Sequence, residues 1–277
     1  MTPRAFLTNI AAIVVLMALF AILELALPLF ARPRDRRPYR AVNLRLMLVQ
    51  FLANWIMMSG AAALAVAFAL ESSGIMTRLG TPFVGQLVIG VVVIDFGYGY
   101  LAHRAMHWSP LLWRVHRVHH SDPFVDVTTA FRNHPLESLW RYLFVIVPVG
   151  VLGIPAEAVV LHRLLSTINA ILEHANIQVR APLDRGLSWI WVTPDMHKLH
   201  HSRDQQETDS NYGNLFPVFD RLLATFTPSE RAATVAYGLD DAEEAHATTL
   251  RGLLEAPFIA GRANGVTAAQ PIVMPNP

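Results

Sequence analysis

The sequence predicts an all-α fold, a multi-pass membrane helical bundle of about four spans with a cytoplasmic helical cap that carries histidine motifs. Three observations predict this class. Of the 277 residues, 53% are hydrophobic and only 16% are charged, whereas soluble domains carry about 25% charged residues. Four long apolar runs alternate with polar segments. Eleven of the 12 histidines lie between positions 103 and 201.

The first apolar run, 6–30, contains Glu24 as its only charge. A helix of this length would extend about 37 Å, which exceeds the ~30 Å hydrocarbon core of a bilayer. The run is longer than the apolar part of a signal peptide and lacks a clear cleavage site, so it predicts an uncleaved span. The arginine-rich segment 32–40 follows, and a short loop of this kind is expected on the cytoplasmic side. The alternative is an ordinary solvated charge run.

Two further runs continue the alternation. The run 46–70 has no formal charge and predicts a second span that leads away from the cytoplasm. After a short loop at 71–80, the run 82–101 returns to the cytoplasmic side just before His103, which places the N-terminus outside. The glycines in this third run predict close helix packing, and they are Gly85, Gly90, Gly97 and Gly99.

The last apolar stretch, 140–175, is interrupted by Gly150, Gly153 and Pro155. Its halves of roughly 14 and 18 residues are each short for a complete span. We expect a re-entrant helical hairpin, although two tilted spans would give the same sidedness. Residues 240–255 predict a short surface helix. These patterns divide the chain into transmembrane helices (1–102), a histidine-box region that includes the hairpin (103–230), and a cytoplasmic tail (231–277).

Composition excludes several kinds of site. The chain has no cysteine, so it cannot by itself build a disulfide framework, a thiolate-ligated zinc or haem, or an iron–sulfur cluster. A metal site in this protein must therefore use imidazole or carboxylate ligands. The net charge of +1 provides no overall field that would favour nucleic acid as a partner.

The spacing of the histidines carries the functional information. On a helix, residues three and four positions apart share one face, so each motif can direct two or three imidazoles towards one point. Together the motifs supply eight imidazoles, enough for two metal ions with four each. The first motif lacks the glutamate of H-E-x-x-H, which disfavours a zinc protease. The three boxes are His103 and His107 in H-x-x-x-H, His116, His119 and His120 in H-x-x-H-H, and His197, His200 and His201 in a second H-x-x-H-H.

With these boxes the chain resembles the fatty acid hydroxylase superfamily, which includes sterol desaturases and other lipid hydroxylases. The resemblance runs from about 91 to 226 and is specific for the superfamily, not for a substrate. It implies a non-haem centre of two iron ions that uses O2 to hydroxylate or desaturate an unactivated C–H bond of a lipid, such as a sterol, a fatty acyl chain or an ether lipid. Beyond the boxes, the motifs are Arg132-x-His134-Pro135, His174-Ala175-Asn176 and Asn211-Tyr212-Gly213.

The resemblance also implies further ligands. His134 and His174 match positions that look like ligands in the family. The ceramide-hydroxylase branch has another histidine at a position that corresponds to Ala170 here, so the chain departs from that branch. Imidazole binds iron, zinc, copper and nickel, and the ligand type alone does not select iron. Zinc can therefore replace iron in purified protein.

Neutral imidazoles leave the charge of two metal ions uncompensated, so polar groups nearby should orient the ring N–H groups and balance the charge. Asp95 is the only acidic residue of the third run, and its alternative role is a structural polar anchor. Asn211 could bind a metal through water or shape a turn. The candidates by position are Asp95, Asp122, Glu137, Glu173, Asp195, Asp209 and Asn211.

A metal layer at the cytoplasmic end of an apolar bundle favours a lipid substrate that enters from the bilayer, with a bacterial inner membrane as the expected location. O2 chemistry needs electrons, and no haem, flavin or ferredoxin domain is recognisable here. We therefore expect a separate ferredoxin- or cytochrome-type donor with its reductase, which would dock near Arg114, Arg117, Lys198 and Arg203.

Two other functions remain open at the level of sequence. A zinc-dependent membrane hydrolase or lyase would activate water and would turn over without O2. A metal carrier or transporter should line a route across the bilayer with its histidines, whereas these cluster at one side.

Overall fold

The computed structural model describes residues 3–30, 36–67, 74–239 and 247–259. All regular elements within these ranges are helices, with one isolated antiparallel β-bridge. This confirms the all-α class. Within the described ranges, three helical segments are long and apolar enough to cross a membrane, namely Phe6–Ala26, Phe83–Trp108 and Pro135–Gly153. The total number of spans stays a prediction.

The first two predicted spans lie in two long helices, α1 (Pro3–Ala26) and α2 (Arg37–Ala67). The apolar window of α1 has a mean hydropathy of 2.6, yet only 6% of it is buried within the protein. A bilayer would cover such an outward-facing apolar surface. Residues 31–35, which include the first part of the arginine-rich segment, and residues 68–73 lie outside the described residues.

The third predicted span is longer than its apolar run. After the short α3 (Ile75–Arg78), α4 (Phe83–Ile94) continues through a π-helical turn (Asp95–Leu101) directly into α5 (Ala102–Trp108). The first histidine box therefore lies on the end of a span and not in a following loop. The expectation of close packing is confirmed at Gly90, where a Cβ atom would approach Ile154 to 2.7 Å. The second box lies on α6 (Pro110–His120).

The predicted hairpin is present. Helix α7 (Pro135–Pro148) passes into a π turn (Val149–Gly153), and α8 (Ala156–His174) leads back. The break falls at Gly153, whose φ of +72° suits glycine, and at Pro155, which cannot continue the hydrogen bonding of the preceding helix. Whether this hairpin is re-entrant or forms two spans stays a prediction.

Short helices complete the histidine layer. They are α9 (Ala181–Leu187), α10 (Pro194–His200) with the third box, α11 (Gln205–Thr208), α12 (Val218–Leu222) and α13 (Leu250–Glu255). Of the predicted surface helix at 240–255, the structure describes residues 247–255, of which Leu250–Glu255 are helical. Residues 240–246, which include His246, and the tail beyond 259 lie outside the described residues.

Helix α1 is bonded to two segments near the histidines. The Glu24 carboxylate is 1% exposed, and its Oε1 accepts the N–H groups of Val127 and Asn176, each at 2.9 Å. Just beyond α1, Gln178 donates its N–H to the Leu27 carbonyl at 2.9 Å. Glu24, the one charge inside the first apolar run, thus holds two segments of backbone in place. One follows the second box and the other follows the hairpin.

Candidate metal centre

Nine histidine rings converge where α5, α6, α8 and α10 meet. They form two groups, and within each group the facing nitrogen atoms lie within 4.8 Å of one another. We call these the five-histidine group and the four-histidine group. The first consists of His103, His107, His116, His120 and His200, and the second of His119, His174, His197 and His201.

The boxes do not each form a separate site. On α6, His116 and His120 face the five-histidine group, whereas His119 faces the other group. The third box is divided in the opposite way, because His200 joins the five-histidine group while its neighbours join the other. The structure thus brings together all eight box histidines and His174, in a five-and-four division in place of the expected four and four.

The five-histidine group presents its Nε2 atoms to one another. His116 Nε2 lies 3.0 Å from His103 Nε2 and 3.2 Å from His120 Nε2. The Nε2 atoms of His107 and His200 are buried and lack a hydrogen-bond partner among the described residues. A metal with ~2.1 Å bonds would place ligands at right angles roughly 3.0 Å apart. The donor set and its spacing therefore fit a bound metal ion.

The four-histidine group is built around His174. Its Nε2 lies 3.1 Å from the Nε2 atoms of both His119 and His201, and 3.0 Å from that of His197. Its Nδ1–H donates to the Ala170 carbonyl at 2.6 Å, which leaves the Nε2 lone pair directed at the other three rings. The same donor chemistry and spacing fit a second metal ion.

Backbone carbonyls fix the tautomers of two rings in the five-histidine group. His103 Nδ1 lies 2.8 Å from the Tyr212 carbonyl, and His200 Nδ1 lies 2.7 Å from the Ser210 carbonyl. A carbonyl can only accept, so each Nδ1 carries the proton and each Nε2 keeps its lone pair for the group. The segment that contains the Asn211-Tyr212-Gly213 motif therefore orients two of the rings.

Two of the predicted carboxylates also fix the tautomer of a ring in the five-histidine group. Glu137 Oε2 accepts from His116 Nδ1 at 3.0 Å, and Asp209 Oδ1 accepts from His107 Nδ1 at 3.2 Å. Arg141 holds the other oxygen of Glu137 at 3.0 Å. Hydrogen bonds of this kind fix ring orientation and raise ligand basicity, and their negative charge offsets that of a metal.

Glu173 lies beside the four-histidine group. Its Oε1 is 3.8 Å from His197 Nε2, which is beyond hydrogen-bond distance, and its Oε2 accepts from Asn169 at 3.0 Å. This carboxyl group therefore lies next to the four-histidine group without bonding a ring nitrogen.

Asp95 was expected to orient a metal-binding ring, but its hydrogen bonds go to other groups. Its carboxylate accepts the N–H groups of Leu215 and Phe216 at 3.3 and 3.1 Å, and it lies 3.3 Å from His162 Nε2. It is therefore the structural anchor weighed as the alternative, and it ties the third span to the loop before α12.

The remaining three candidates also bond groups other than the nine rings. Asp122 accepts from Asn43 at 2.7 Å. Asp195 is hydrogen-bonded to the backbone of Val179, and burial raises its pKa to about 7. Asn211 has a φ of +53°, and its side-chain oxygen accepts the Thr227 N–H at 3.0 Å. Asn211 thus shapes a turn, the second of its two expected roles.

The structure brings His134, one of the two additional predicted ligands, to neither histidine group. His134 Nδ1 accepts the N–H of Leu136 at 3.1 Å, and Nε2 donates to the Leu254 carbonyl at 3.2 Å. Both ring nitrogens are thereby used, and no lone pair is left for a metal. His134 is the N-cap of α7, a role that a side-chain acceptor before a helix commonly performs.

Burial keeps the box rings uncharged. For His116, His119, His120, His197, His200 and His201, burial and then neighbouring ionisable groups, mainly imidazoles, hold the pKa well below 6.5. Neutral imidazole is the form that binds metal.

Lys198 was expected on an electron-donor docking surface, and this is wrong because its side chain is 0% exposed. Its Nζ donates to the carbonyls of Glu173, His174 and Ala175 at 3.1, 2.7 and 2.7 Å. Burial lowers the pKa of Lys198 to about 8, so the ammonium is still largely charged at neutral pH. It therefore caps the carboxyl end of α8, where a cation is favoured.

The second box contains a similar contact between a basic side chain and backbone carbonyls at a helix end. Arg117 occupies the position after the first histidine, as Lys198 does in the third box, and donates to the Ala256 carbonyl at 2.6 Å and the Ile259 carbonyl at 3.3 Å. These carbonyls follow α13. In both H-x-x-H-H boxes, a basic residue thus ties the histidine helix to the end of another helix.

Replacing Glu137 by glutamine should lower the affinity of the five-histidine group for metal by about 10- to 100-fold, because His116 loses its anionic acceptor. Competition with a chelator, followed by metal analysis, measures this. Glu157→Gln, on the exposed first turn of α8, is the matched control. Equal metal retention in both variants would contradict the orienting role of Glu137.

Comparisons with known proteins agree with this geometry. A model of the fatty acid hydroxylase family matches residues 87–225, which contain both histidine groups. Ornithine lipid hydroxylase of Rhizobium tropici is 33% identical over 159 residues, which cover 57% of this chain and 46% of the relative. Alkylglycerol monooxygenase of Caenorhabditis elegans is 31% identical over 146 residues, or 52% of this chain and 28% of the relative.

Methylsterol monooxygenase of Aspergillus fumigatus is 28% identical over 169 residues, or 58% of this chain and 54% of the relative. The chain spans about half or less of the length of these relatives. No solved structure matches. Because the family match covers half of the sequence and includes every ring of both histidine groups, the chain belongs to the fatty acid hydroxylase family.

Proposed function

We propose that this protein is a membrane-bound, O2-dependent hydroxylase or desaturase of a lipid, with two iron ions held by the two histidine groups. The observation that carries the proposal is the pair of adjacent all-imidazole groups at the ends of membrane-apolar helices. Membership of a family known for iron-dependent monooxygenases supports iron as the metal. Bound iron would supply the redox chemistry by activating O2 for attack on a C–H bond.

The chain's own residues prepare this site. The carbonyls of Tyr212 and Ser210 and the carboxylates of Glu137 and Asp209 hold four rings with Nε2 inward. Burial removes water from the rings and keeps them neutral. Because the rings are fixed before a metal arrives, little reorganisation is needed at the moment of reaction.

The substrate class follows from where the groups lie. His103 and His107 stand on the last turns of a span, and His174 ends the hairpin. A lipid could therefore reach the rings from the bilayer between α4, α7 and α8 without leaving the membrane. The named relatives act on ornithine lipid, alkylglycerol and methylsterol, which supports a lipid as substrate. We place the site on the cytoplasmic side of a bacterial inner membrane because of the arginine-rich segment 32–40.

Electrons must come from a separate donor of the ferredoxin or cytochrome type. Arg114, Arg117 and Arg203 remain as the basic residues of the expected docking surface, and all three are partly exposed. With Lys198 buried, this surface is smaller than the sequence predicts.

Lipid profiling of a host with and without the gene, grown under isotopically labelled O2, tests the proposal. We expect one lipid class to gain a labelled oxygen only when the gene is present, or to gain a double bond if the reaction is desaturation. A His116→Ala gene should restore neither product. Product formation without O2 would contradict the proposal and favour the zinc-dependent hydrolase or lyase.

A further inference from the structure

A cavity of about 40 Å³ lies between the π turn that follows α4, α7 and α8. Part of its lining is apolar and consists of Ile94, Val145 and Val159. A second wall, however, is polar. Arg163 and Thr167 both line the cavity, and they lie one helical turn apart on α8, so that both can face the same space.

Arg163 has no ion-pair partner among the described residues. The nearby Asp95 carboxylate is already engaged by His162 and by the backbone N–H groups of Leu215 and Phe216. Arg163 is partly exposed on the apolar hairpin, where a guanidinium is stabilised by an anionic partner. The guanidinium is therefore available to pair with an anion.

Hydroxyl groups complete the polar wall. Ser166, Thr167 and Tyr98 line the same cavity as Arg163. The Ser166 hydroxyl accepts from Asn214 at 2.9 Å, which leaves its own proton available to donate. A guanidinium that shares a cavity with hydroxyl-bearing side chains is suited to binding a phosphate or a carboxylate.

We propose that this cavity binds the anionic oxygen group, a phosphate or a carboxylate, of the lipid substrate. The inference rests on the proposed function and narrows its substrate class to acidic lipids. The Arg163 guanidinium pairs with the anion, the hydroxyls donate to its remaining oxygens, and the apolar part of the lining contacts the adjoining hydrocarbon.

The distance to the histidines suits this role. Tyr98 precedes His103 by five positions, and Thr167 precedes His174 by seven. At about 1.5 Å per residue, the cavity lies roughly 8 to 10 Å along the helices from the two histidine groups. A lipid held by its anion here would present a carbon several bonds away to the metals. Anchoring at one point would then select which carbon reacts.

Photolabelling tests the inference without turnover. The metal-loaded full-length protein is placed in phosphatidylcholine nanodiscs with photoreactive phosphatidic acid, photoreactive fatty acid or photoreactive diacylglycerol. We expect both acidic probes, but not diacylglycerol, to label α8 around 159–167. Arg163→Gln should reduce this labelling by about tenfold, and Arg163→Lys should retain most of it, because the positive charge is what the anion requires.

Arg185→Gln, at an exposed position on α9, is the matched control and should label normally. Equal labelling of Arg163→Gln and the unchanged protein, or equal labelling by diacylglycerol, would overturn the inference. Displacement of the acidic probes by inorganic phosphate alone would assign the cavity to a free anion and would also overturn it. If Arg163→Gln keeps its metal content, a folding defect is excluded. A negative labelling result together with incorporation of labelled O2 into lipid would reject this inference alone.

Discussion

Replacing His174 by alanine should remove one of the two metal ions that we propose and leave the other in place. His174 Nε2 lies 3.0 to 3.1 Å from all three other rings of the four-histidine group, so its loss opens that group on one side. Removal of residues that merely orient a ligand lowers metal affinity by about 10- to 100-fold, and loss of a ligand should cost at least as much. Metal analysis of iron-loaded protein, together with product formation, measures the effect.

His134→Ala provides the control, since both residues were candidate ligands and the structure separates them. This variant should keep both metal ions and lose only the cap of α7, a cost of about 1 kcal/mol. Full metal retention and normal product formation in His174→Ala would reject the four-histidine group as a metal site. Loss of metal in His134→Ala would reinstate His134 as a ligand.

Replacing Lys198 by methionine should lower the free energy of unfolding by about 3 kcal/mol and disturb the four-histidine group. Methionine fills a similar volume but removes the donor to the carbonyls of Glu173 and His174, while the Ala175 carbonyl keeps the Ile177 N–H. Each buried unsatisfied group costs about 1 to 3 kcal/mol. His174 belongs to that same end, so its ring should lose its fixed position. Denaturation in detergent and metal analysis give the two readouts.

Arg185→Met, on an exposed surface of α9, removes a positive charge without a buried partner and should change neither readout. Because Lys198 touches backbone atoms and not the rings, we expect the five-histidine group to keep its metal in Lys198→Met. If the unfolding midpoint and the metal content both stay unchanged, the capping role of Lys198 is wrong.

Local spacing is what made the eight box histidines predictable. Residues at i, i+3 and i+4 share a helix face whatever the tertiary fold. The spacing cannot show which of two neighbouring centres each ring serves. His119 and His120 are adjacent in sequence yet belong to different groups, a division set by how α6 meets α8 and α10. His174, a single histidine without a local partner, required the resemblance to the family.

The roles that the sequence could not predict depend on contacts between residues that are far apart in the chain. Asp95 bonds backbone groups 120 and 121 positions later, and Lys198 bonds a helix end 23 to 25 positions earlier. No periodicity records such pairs. His134 shows the opposite case, in which a motif match suggested a ligand while a proline after it favoured a helix N-cap. The hairpin break, by contrast, was predictable because glycine and proline act locally.

The anchoring of α1 through Glu24 has a consequence for how the family's shared region can be exchanged between proteins. The match to the family begins at residue 87, after α1 and α2, so the matched region looks like a self-contained catalytic unit. Yet the backbone at Val127 and Asn176 is held by a carboxylate from outside it. A chimera that transplants residues 87–225 onto foreign N-terminal helices would leave two buried N–H groups without an acceptor. The first helix is therefore part of the scaffold that supports the histidine layer.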